Sequence, residues 1–328
     1  MIKSLKKRKI FVSAPMEFLP MLKEQISKVF EVTFAYGAEK EDVEGLLRSN
    51  RFEAWLVSPC PKYVIDVEML SLCPTLKIIA TPSTGSNHIM TAEVKKTLGL
   101  KIFTLKGTSV VENIFASSEF TFNLLISVIR KTPYAFESVK KGKWRETEYK
   151  FRGRELNGLT LGIIGFGRIG SNLAKYSLAF GMKIVAYDPY VKIKDDKVYQ
   201  VKKIDDLVSK VDAIAICVHL NEETYKMINN TLFSKMKDGV YFINTSRGDV
   251  IDEKALVKNL ENGKILAAGL DVISDEFTSL KDEHPLIKYA KKNNNLIITP
   301  HIAGLTYDSE EKAQTAAYIA IKNFLTNK

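Results

Sequence analysis

The chain has 328 residues, of which 45% are hydrophobic and 26% are charged, a composition typical of a soluble globular protein with about two domains. No apolar run approaches the roughly 20 residues that a membrane-spanning helix requires, so we predict no membrane partner. The formal net charge of +10 comes from lysines scattered along the whole chain, without a nucleic-acid-binding motif. We therefore predict a solvated basic surface and no nucleic-acid partner.

The basic start of the chain leads into a short apolar run at residues 10–15, which predicts a first strand rather than a signal peptide. The three cysteines, Cys60, Cys73 and Cys217, lack the spacing of metal ligands. Their sparse use favours a reducing compartment. We therefore predict a cytoplasmic protein without a bound metal.

The first hundred residues alternate short apolar runs with amphipathic stretches. Predicted strands lie at residues 9–13, 31–35, 54–57, 76–80 and 101–104. Predicted helices lie near residues 19–29, 41–48, 64–71 and 91–98. This alternation indicates a parallel sheet covered by helices. Because this half lacks a glycine fingerprint, we do not expect the main nucleotide site here.

A long helical stretch follows at residues 110–131. It is apolar around most of its circumference, so we expect it to be buried between domains or against another subunit. Residues 132–158 are polar and aromatic, and so long an excursion is unusual inside a compact domain. We interpret them as an arm that packs on a partner chain, with a solvated loop as the alternative.

An apolar run at residues 161–164 leads directly into Gly165, Gly167 and Gly170, and a helical pattern follows. Strand, glycine turn and helix are the parts of a dinucleotide-binding unit. The first glycine permits the tight turn, the second lets backbone approach a pyrophosphate, and the third lets helix and strand pack closely. The N–H groups at the helix N-terminus would then bind the phosphates.

A second apolar run, residues 183–187, ends in Asp188, where a carboxylate can bind a ribose diol. The same carboxylate would repel the 2′-phosphate of NADP, and no arginine follows it among residues 189–191. Asp188 therefore favours NAD as the cofactor. Lys192 and Lys194 are close enough in sequence to keep NADP open.

The alternation of strands and helices resumes after Asp188. Predicted strands lie at residues 213–218, 240–244, 265–269 and 296–299. Predicted helices lie at residues 204–209, 231–236, 253–262 and 308–325. The charged stretch at residues 272–294 is predicted to be an irregular loop at the C-terminal end of a strand, the edge of an open α/β sheet where ligands bind.

Three polar side chains follow predicted strands at this edge: Arg247, Glu276 and His301. Arginine can bind a carboxylate with its planar fork and polarise a carbonyl. Histidine can move a proton near neutral pH, and a neighbouring glutamate stabilises the imidazolium and fixes the ring tautomer. Together they suit the reversible oxidation of a 2-hydroxy acid. Taken singly, each residue has a simpler interpretation. Arg247 would be a surface cation, Glu276 a solvated acid in a loop, and His301 a histidine hydrogen-bonded to backbone where a helix begins.

Three stretches carry a family resemblance: Thr-Ser-Arg-Gly-Asp-Val-Ile-Asp at 245–252, Gly-Leu-Asp-Val-Ile-Ser-Asp-Glu at 269–276 and Thr-Pro-His-Ile-Ala-Gly-Leu-Thr at 299–306. In this order they resemble the three signatures of the D-isomer-specific 2-hydroxyacid dehydrogenase family, and the resemblance extends over essentially the whole chain. It implies that Arg247, Glu276 and His301 are the catalytic residues.

The resemblance also implies roles in cofactor binding. The Asp271 carboxylate would anchor the nicotinamide carboxamide, and backbone at Val218 and Thr245 would line the cofactor. His219 matches a pocket-lining position and is not expected to carry a proton. The residues expected to bind NAD are Gly165, Gly167, Arg168, Ile169, Gly170, Asp188, Val218, His219, Thr224, Thr245 and Asp271.

The substrate carboxylate is expected to be held by Arg247 and by a loop at Ser83, Thr84 and Gly85, which resembles the family loop whose backbone N–H groups bind it. The resemblance implies an α/β architecture of two Rossmann-like, doubly wound parallel-sheet domains with an interdomain cleft. Residues 1–108 and 301–328 would form a discontinuous substrate-binding domain, and residues 109–300 an inserted NAD-binding domain. Family members are usually dimers, joined through the region that matches residues 110–158, so we expect a homodimer.

We therefore predict an NAD-dependent oxidoreductase that transfers a hydride between nicotinamide and C2 of a small D-2-hydroxy acid or 2-keto acid, with His301 as acid and base. Phosphoglycerate dehydrogenases commonly carry an arginine where this chain has Ser58, Pro59 and Cys60. That difference, and the absence of a regulatory extension after the last helix, favour glyoxylate or hydroxypyruvate. The basic composition keeps D-3-phosphoglycerate dehydrogenase as an alternative. An NAD(H)-sensing binding protein like the related co-repressors is the alternative of another class, since those keep the same three residues.

Overall fold

The structure is a computed structural model that describes residues 7–86, 88–276 and 281–326. The chain divides into two compact units, one formed by Met1–Ile114 and Thr306–Lys328 and the other by Phe115–Leu305. Both units are α/β, as predicted, and each is built on a parallel sheet. Within the described ranges, no helix is both long and apolar enough to cross a lipid bilayer.

The described residues of the first unit form a parallel sheet of five strands in the order β2-β1-β3-β4-β5. The strands are β1 (Lys9–Val12), β2 (Glu31–Phe34), β3 (Ala54–Leu56), β4 (Ile78–Ala80) and β5 (Lys101–Phe103). The helices are α1 (Pro20–Val29), α2 (Lys40–Ser49), α3 (Val67–Ser71), α4 (Thr91–Leu98) and, returning from the end of the chain, α12 (Tyr307–Thr326). A 3₁₀ helix at Ser109–Asn113 also belongs to this unit.

Both faces of this sheet are buried, as its apolar strands predict. Phe11 and Trp55 stack on one face, with ring centroids 5.1 Å apart, in the same cluster as helices α2, α3 and α4. Ile10 and Leu56 belong to the opposite cluster, which includes the buried residues of α1 and α12. The alternation of neighbouring side chains between the two clusters is the period of two that defines a strand.

The described residues of the second unit form a parallel sheet of seven strands in the order β12-β11-β10-β9-β6-β7-β8. The strands are β6 (Thr160–Ile164), β7 (Lys183–Tyr187), β8 (Val198–Val201), β9 (Ala213–Ile216), β10 (Val240–Asn244), β11 (Ile265–Leu270) and β12 (Leu296–Ile298). The helices are α5 (Ala116–Arg130), α6 (Thr132–Lys140), α7 (Arg168–Ala179), α8 (Ile204–Val208), α9 (Asn230–Lys235), α10 (Glu253–Glu261) and α11 (Pro285–Ala290). Short 3₁₀ helices lie at Arg145–Phe151, Gly248–Val250 and Lys281–Glu283.

The strand order reverses between β6 and β9, because the chain adds β7 and β8 on one side of β6 and then returns to its other side. Such a switch point opens a crevice beyond the carboxyl ends of the two central strands, where ligands bind in this class of sheet. The glycine turn directly follows β6, and the loops that carry Arg247, Glu276 and His301 follow β10, β11 and β12.

The long predicted helix at residues 110–131 is divided in the structure, since the 3₁₀ helix ends at Asn113 and α5 begins at Ala116. Helix α5 packs on α7, β10 and β11 of its own unit. An added Cβ at Gly269 of β11 would lie 2.7 Å from Leu124 and 2.8 Å from Val128, so the helix lies close against the sheet. The apolar circumference of α5 is thus explained by burial inside the second unit.

Some predicted boundaries and loops were wrong. Residues 272–294 are not wholly irregular, because α11 buries Leu286 and Tyr289. The predicted arm contains α6 and a 3₁₀ helix, and strand β8 was missed. Each of these elements is short, and α6 and α11 both begin with a proline in the first turn, which is favourable at that position but also typical of loops.

The divisions between the units fall a few residues beyond the predicted ones at 108/109 and 300/301. Ile114 stays with the first unit because it packs with Leu105 and Ala313. The segment around His301 stays with the second unit because its backbone is hydrogen-bonded to Asp271. The prediction that placed His301 in the substrate-binding domain therefore differs from the structure.

Candidate active site

The glycine turn after β6 has the geometry that its sequence predicts. Gly165 has φ +92°, and an added Cβ would lie 2.5 Å from the carbonyl oxygen of Cys217. A Cβ at Gly170 would lie 2.2 Å from the carbonyl oxygen of Gly165, so helix and strand approach as closely as glycine allows. No atom of the described residues lies within 4 Å of a Cβ built at Gly167. The turn is therefore rigid on two sides and open at the position expected to face a pyrophosphate.

The N-terminus of α7 and the Asp188 carboxylate complete this turn. Gly167 is the N-cap, so no side chain caps the first turn of the helix. Asp188 Oδ2 accepts the Phe166 N–H at 2.8 Å, and Oδ1 accepts the N–H groups of Tyr190 and Val191 at 2.8 and 3.0 Å. The carboxylate is thereby fixed beside the glycine turn. A carboxylate offers about four lone-pair sites, so it keeps one for a ribose hydroxyl.

The other predicted cofactor residues surround the same edge of the sheet. An added Cβ at Gly165 would lie 2.9 Å from Val218, which shows that this side chain covers the turn. The Thr224 hydroxyl donates to the His219 carbonyl oxygen at 2.6 Å and closes the loop after β9. Thr245 is buried, with its hydroxyl 2.6 Å from the Thr121 hydroxyl of α5.

Two further predicted cofactor residues, Arg168 and Ile169, are half-buried in the first turn of α7. Burial lowers the pKa of the Arg168 guanidinium from its ordinary value. An arginine remains charged despite such a shift, so this side chain adds a positive charge beside the helix N-terminus.

His301 and Glu276 form the central contact of the site, with 2.7 Å between Nδ1 and Oε2. Because an ionised carboxylate can only accept a hydrogen bond, this contact assigns a proton to Nδ1. Glu276 Oε1 also accepts the Ile273 N–H at 3.3 Å. The imidazole is 34% exposed, so its Nε2 edge remains available for proton exchange with a ligand.

Both members of this pair are carried by unusual backbone. His301 has φ 56°, and Asp275, which precedes Glu276, has φ 53°. The left-handed region is costly for residues other than glycine, and it persists only where surrounding structure enforces it. Such strain is concentrated at functional sites.

Asp271 enforces the conformation at His301. Its carbonyl oxygen accepts the His301 N–H at 2.9 Å, and its carboxylate accepts the N–H groups of Ile302 and Ala303 at 2.9 and 2.7 Å. The Thr299 hydroxyl adds a fourth hydrogen bond at 2.6 Å. Burial raises the pKa of the Asp271 carboxyl, and these hydrogen bonds to the carboxylate oppose the rise. The observed role of Asp271 is to hold the turn that presents His301, and a contact with nicotinamide remains a prediction.

Arg247 is presented by a turn that Asn244 organises. The Asn244 side-chain oxygen accepts the Ser246 N–H at 2.9 Å, and its amide donates to the Arg247 carbonyl oxygen at 2.9 Å. The Arg247 guanidinium donates to the Ser246 carbonyl oxygen at 2.6 Å. Among the described residues, no carboxylate lies within ion-pair distance of it. Arg247 is therefore free to bind an acidic ligand.

The Arg247 turn and the Glu276 turn are in direct contact at Gly248. An added Cβ there would lie 1.9 Å from the carbonyl carbon of Ile273 and 2.2 Å from the Ser274 nitrogen. Asp249 lies close to the same turn, and its pKa is raised by burial and by the charges of Asp275 and Glu276. Sequence reasoning identified neither Asn244 nor Gly248 as important to the site, although Asn244 directly precedes the predicted arginine stretch and Gly248 lies within it.

The predicted substrate loop lies in the first unit, after β4. The Ser83 hydroxyl donates to the Gly85 carbonyl oxygen at 2.5 Å and lies 3.0 Å from the Thr81 hydroxyl. Thr81 is in turn 3.1 Å from His88 Nε2. Within the described part of the chain, no acceptor takes the N–H groups of Ser83, Thr84 and Gly85. Three consecutive free donors are suited to a carboxylate.

Comparison with known proteins agrees with this geometry. Residues 122–303 match the family profile described as D-isomer specific 2-hydroxyacid dehydrogenase, NAD binding domain. The hydroxypyruvate reductase of Thermotoga maritima is 37% identical over 248 residues, covering 76% of this chain and 77% of that protein. The glyoxylate reductase of Thermofilum pendens is 34% identical over 324 residues, covering 97% of this chain and 90% of that protein. Further relatives bear the name D-3-phosphoglycerate dehydrogenase.

Among solved structures, the crystal structure of D-lactate dehydrogenase from Aquifex aeolicus, complexed with NAD and lactic acid, has a TM-score of 0.81 with this chain. The two are 34% identical, and the match covers 97% of this chain and 95% of the other. The profile match, the identities and the shared fold agree with one another. The chain therefore belongs to the D-isomer-specific 2-hydroxyacid dehydrogenase family, whose members are NAD-dependent oxidoreductases acting on CH–OH groups.

Proposed function

We propose that the protein interconverts a small D-2-hydroxy acid and its 2-keto acid, with glyoxylate or hydroxypyruvate as the keto acid. The observation that carries this proposal is the 2.7 Å pair of His301 Nδ1 and Glu276 Oε2, which leaves Nε2 as the exchangeable edge of the ring. A proton carrier of this kind is needed when a carbonyl is reduced to an alcohol.

In the direction of reduction, His301 gives the proton on Nε2 to the carbonyl oxygen of the keto acid. Glu276 stabilises the imidazolium before the transfer and keeps the second proton on Nδ1 throughout. Arg247 binds the substrate carboxylate and polarises the adjacent carbonyl, because its guanidinium has no carboxylate partner among the described residues. In the direction of oxidation, the same Nε2 takes the hydroxyl proton.

The residues that would hold the dinucleotide are those of the glycine turn, the first turn of α7, Asp188 and the loops after β9 and β10. The open position at Gly167 and the uncapped start of α7 fit a pyrophosphate. Asp188, fixed by three backbone N–H groups, fits a ribose diol. When bound, the nicotinamide supplies or accepts the hydride that the protein side chains cannot.

The free N–H groups of residues 83–85 support a second contact with the substrate carboxylate. The stretch after β3 supports an unphosphorylated substrate, because Ser58, Pro59 and Cys60 are neutral and stand where phosphoglycerate dehydrogenases commonly carry an arginine. Ser13 Oγ accepts the Ser58 N–H at 3.2 Å, and Ser58 Oγ accepts the Cys60 N–H at 3.3 Å. The names of the relatives from Thermotoga maritima and Thermofilum pendens favour the same substrates.

The direct test is NADH oxidation by the purified protein over a panel of glyoxylate, hydroxypyruvate, pyruvate, longer 2-keto acids and 3-phosphohydroxypyruvate. We expect the highest kcat/KM with glyoxylate or hydroxypyruvate. A clear preference for 3-phosphohydroxypyruvate would instead establish the D-3-phosphoglycerate dehydrogenase activity that other relatives suggest. Absence of turnover with every 2-keto acid would refute the proposed function.

We also propose a homodimer in the cytoplasm. Exposed apolar side chains of α6 and of the segment around the following 3₁₀ helix support the dimer, since Phe136 is 62% exposed, Trp144 70% and Tyr149 61%. Sedimentation of the purified chain tests this assembly, and a mass of one chain at micromolar concentration would contradict it. The reducing location predicted from cysteine usage is testable by fractionation of the source cells.

A further inference from the structure

A second buried pair of a glutamate and a histidine lies beside the catalytic pair and takes no part in the mechanism above. Glu253, the first residue of α10, accepts the Ser274 N–H on Oε1 at 2.7 Å. Its Oε2 accepts the Ser274 hydroxyl at 2.6 Å and lies 3.2 Å from His284 Nε2. Only 11% of the Glu253 side chain is exposed and 9% of that of His284.

The target of Glu253 is the turn that carries Glu276. Ser274 stands two residues before Glu276, with the left-handed Asp275 between them. Glu253 binds both the backbone N–H and the hydroxyl of Ser274, so it fixes the orientation of the residue that directly precedes the strained Asp275. A bidentate contact with a carboxylate constrains orientation as well as distance.

Gly248 confines the peptide between Ile273 and Ser274 from the other side, since an added Cβ at Gly248 would lie 2.2 Å from the Ser274 nitrogen. Together, Glu253 and Gly248 leave the peptide between Ile273 and Ser274 little freedom to move. Because the Ile273 N–H also binds Glu276 Oε1, any displacement of this peptide reaches the catalytic carboxylate.

His284 holds Glu253 in turn. The residue is the N-cap of α11, and its Nε2 must carry the proton if it is to bind a carboxylate. Within the described residues, the buried Nδ1 has no hydrogen-bond partner. The ring therefore makes a single specific contact in the described structure, and that contact is with Glu253.

We propose that Glu253, held by His284, is a positioning residue that sets the separation between Glu276 and His301. The inference rests on the proposed dehydrogenase function for its kinetic consequence. Glu253 binds neither substrate nor cofactor. It acts through Ser274 on the turn that presents Glu276, and the strain at Asp275 is maintained by this contact.

The test compares kcat, KM and the pH profile of keto-acid reduction among variants of the whole chain. For E253A we expect kcat to fall about 10- to 100-fold, the size of effect known for a displaced catalytic group, with NADH affinity close to wild type. E253Q should recover most of that loss, because a glutamine amide can still accept the Ser274 N–H and donate to its hydroxyl. For H284A we expect a kcat between those of E253A and E253Q.

The pH profile separates positioning from general destabilisation. In E253A, the pH profile of reduction should differ from that of wild type, because Glu276 is no longer held at its wild-type separation from the proton carrier, His301. The matched control is E261A, the same substitution at the exposed last residue of the same helix, which should leave kcat and the profile unchanged. E253A with wild-type kcat and profile would overturn the proposal.

Two further experiments cover the cases in which E253A does not fold or the wild-type protein has no activity. If E253A does not fold, S274A removes only the hydroxyl contact, and an unchanged kcat in S274A would overturn the proposal. If wild-type protein reduces no keto acid, the proposed function fails by itself. Crystal structures then decide the inference, since an unchanged separation of His301 Nδ1 and Glu276 Oε2 in a folded E253A or S274A refutes it, whereas a separation beyond hydrogen-bond range supports it.

Discussion

The loops after β10, β11 and β12 in the second unit fix side chains, whereas the loop after β4 in the first unit fixes backbone N–H groups. Asn244, Asp271 and Glu253 each bind two or more groups of a neighbouring turn, and two left-handed residues lie among those turns. The first-unit loop depends on small hydroxyl contacts at Thr81 and Ser83. Under the proposed function, the chemical step would depend on side chains that several hydrogen bonds hold in place, and recognition of the acid would depend on backbone N–H groups. Substitutions in the two regions should therefore differ in which kinetic parameter they change, as well as in the size of the change.

The largest effect is expected for His301→Ala, which removes the proposed proton carrier and leaves its supporting turn in place. Reduction of 2-keto acids should fall by at least ~10²-fold, the usual contribution of general acid catalysis. NADH binding, measured by fluorescence titration, should remain near wild type because no atom of the glycine turn changes. A variant that retained activity would remove His301 from the mechanism and, with it, the distinction between the two regions.

Gly248→Ala tests whether the Arg247 and Glu276 turns act as one unit. The new Cβ would lie 1.9 Å from the Ile273 carbonyl carbon, so one turn must move. Overpacking of this kind costs about 1–3 kcal/mol, which should appear as a lower Tm. A displacement of either turn by about 1 Å should lower kcat by up to ~10²-fold.

The matched control for that variant is Gly45→Ala, the same substitution in α2 where nothing lies within 4 Å. It should keep full activity and an equal or higher Tm, because alanine is the better helix residue. If Gly248→Ala had wild-type kcat, the two turns would be independent and the contact between them incidental.

Sequence reasoning found the chemically distinctive residues and missed those that support them. The positions of Arg247, Glu276 and His301 at one edge of the sheet could be predicted, because each follows an apolar strand and parallel strands end at the same edge. The left-handed φ of His301 could not be predicted, because it depends on hydrogen bonds that the backbone of residues 301–303 donates to Asp271, 30 positions earlier in the sequence than His301. Contacts of this kind between distant loops have no periodicity in the sequence.

The fold shows the same contrast between features that the sequence predicts and features that it misses. The central strands were predicted well because they are apolar and buried on both faces. Strand β8 was missed because it lies at the edge of the sheet and buries only Val198 and Val201. The helix at residues 253–262 was predicted from its amphipathic pattern, but the pattern could not show that its first residue, Glu253, binds the turn that carries Glu276.

Asp188→Ala probes the cofactor side of the second unit and is expected to have the next largest effect. Loss of the carboxylate should weaken NADH binding by about 10-fold and narrow the preference over NADPH, since a charge that repels a 2′-phosphate is gone. Asp196→Ala, an exposed acid in the same loop, is the matched control. Equal weakening of NADH and NADPH would show that Asp188 only supports the turn through Phe166, Tyr190 and Val191.

Ser83→Ala should have the smallest effect and a different signature. The change removes the hydroxyl that binds the Gly85 carbonyl oxygen at 2.5 Å, but it keeps the N–H groups that we expect to hold the substrate carboxylate. Loss of one hydrogen bond is worth about 1 kcal/mol, so KM for the keto acid should rise about 5-fold with kcat near wild type. Thr84→Ala is the matched control, because its hydroxyl makes no hydrogen bond within the described residues. A fall in kcat at constant KM would instead assign this loop to the chemical step, and the contrast between a region that reacts and a region that recognises would fail.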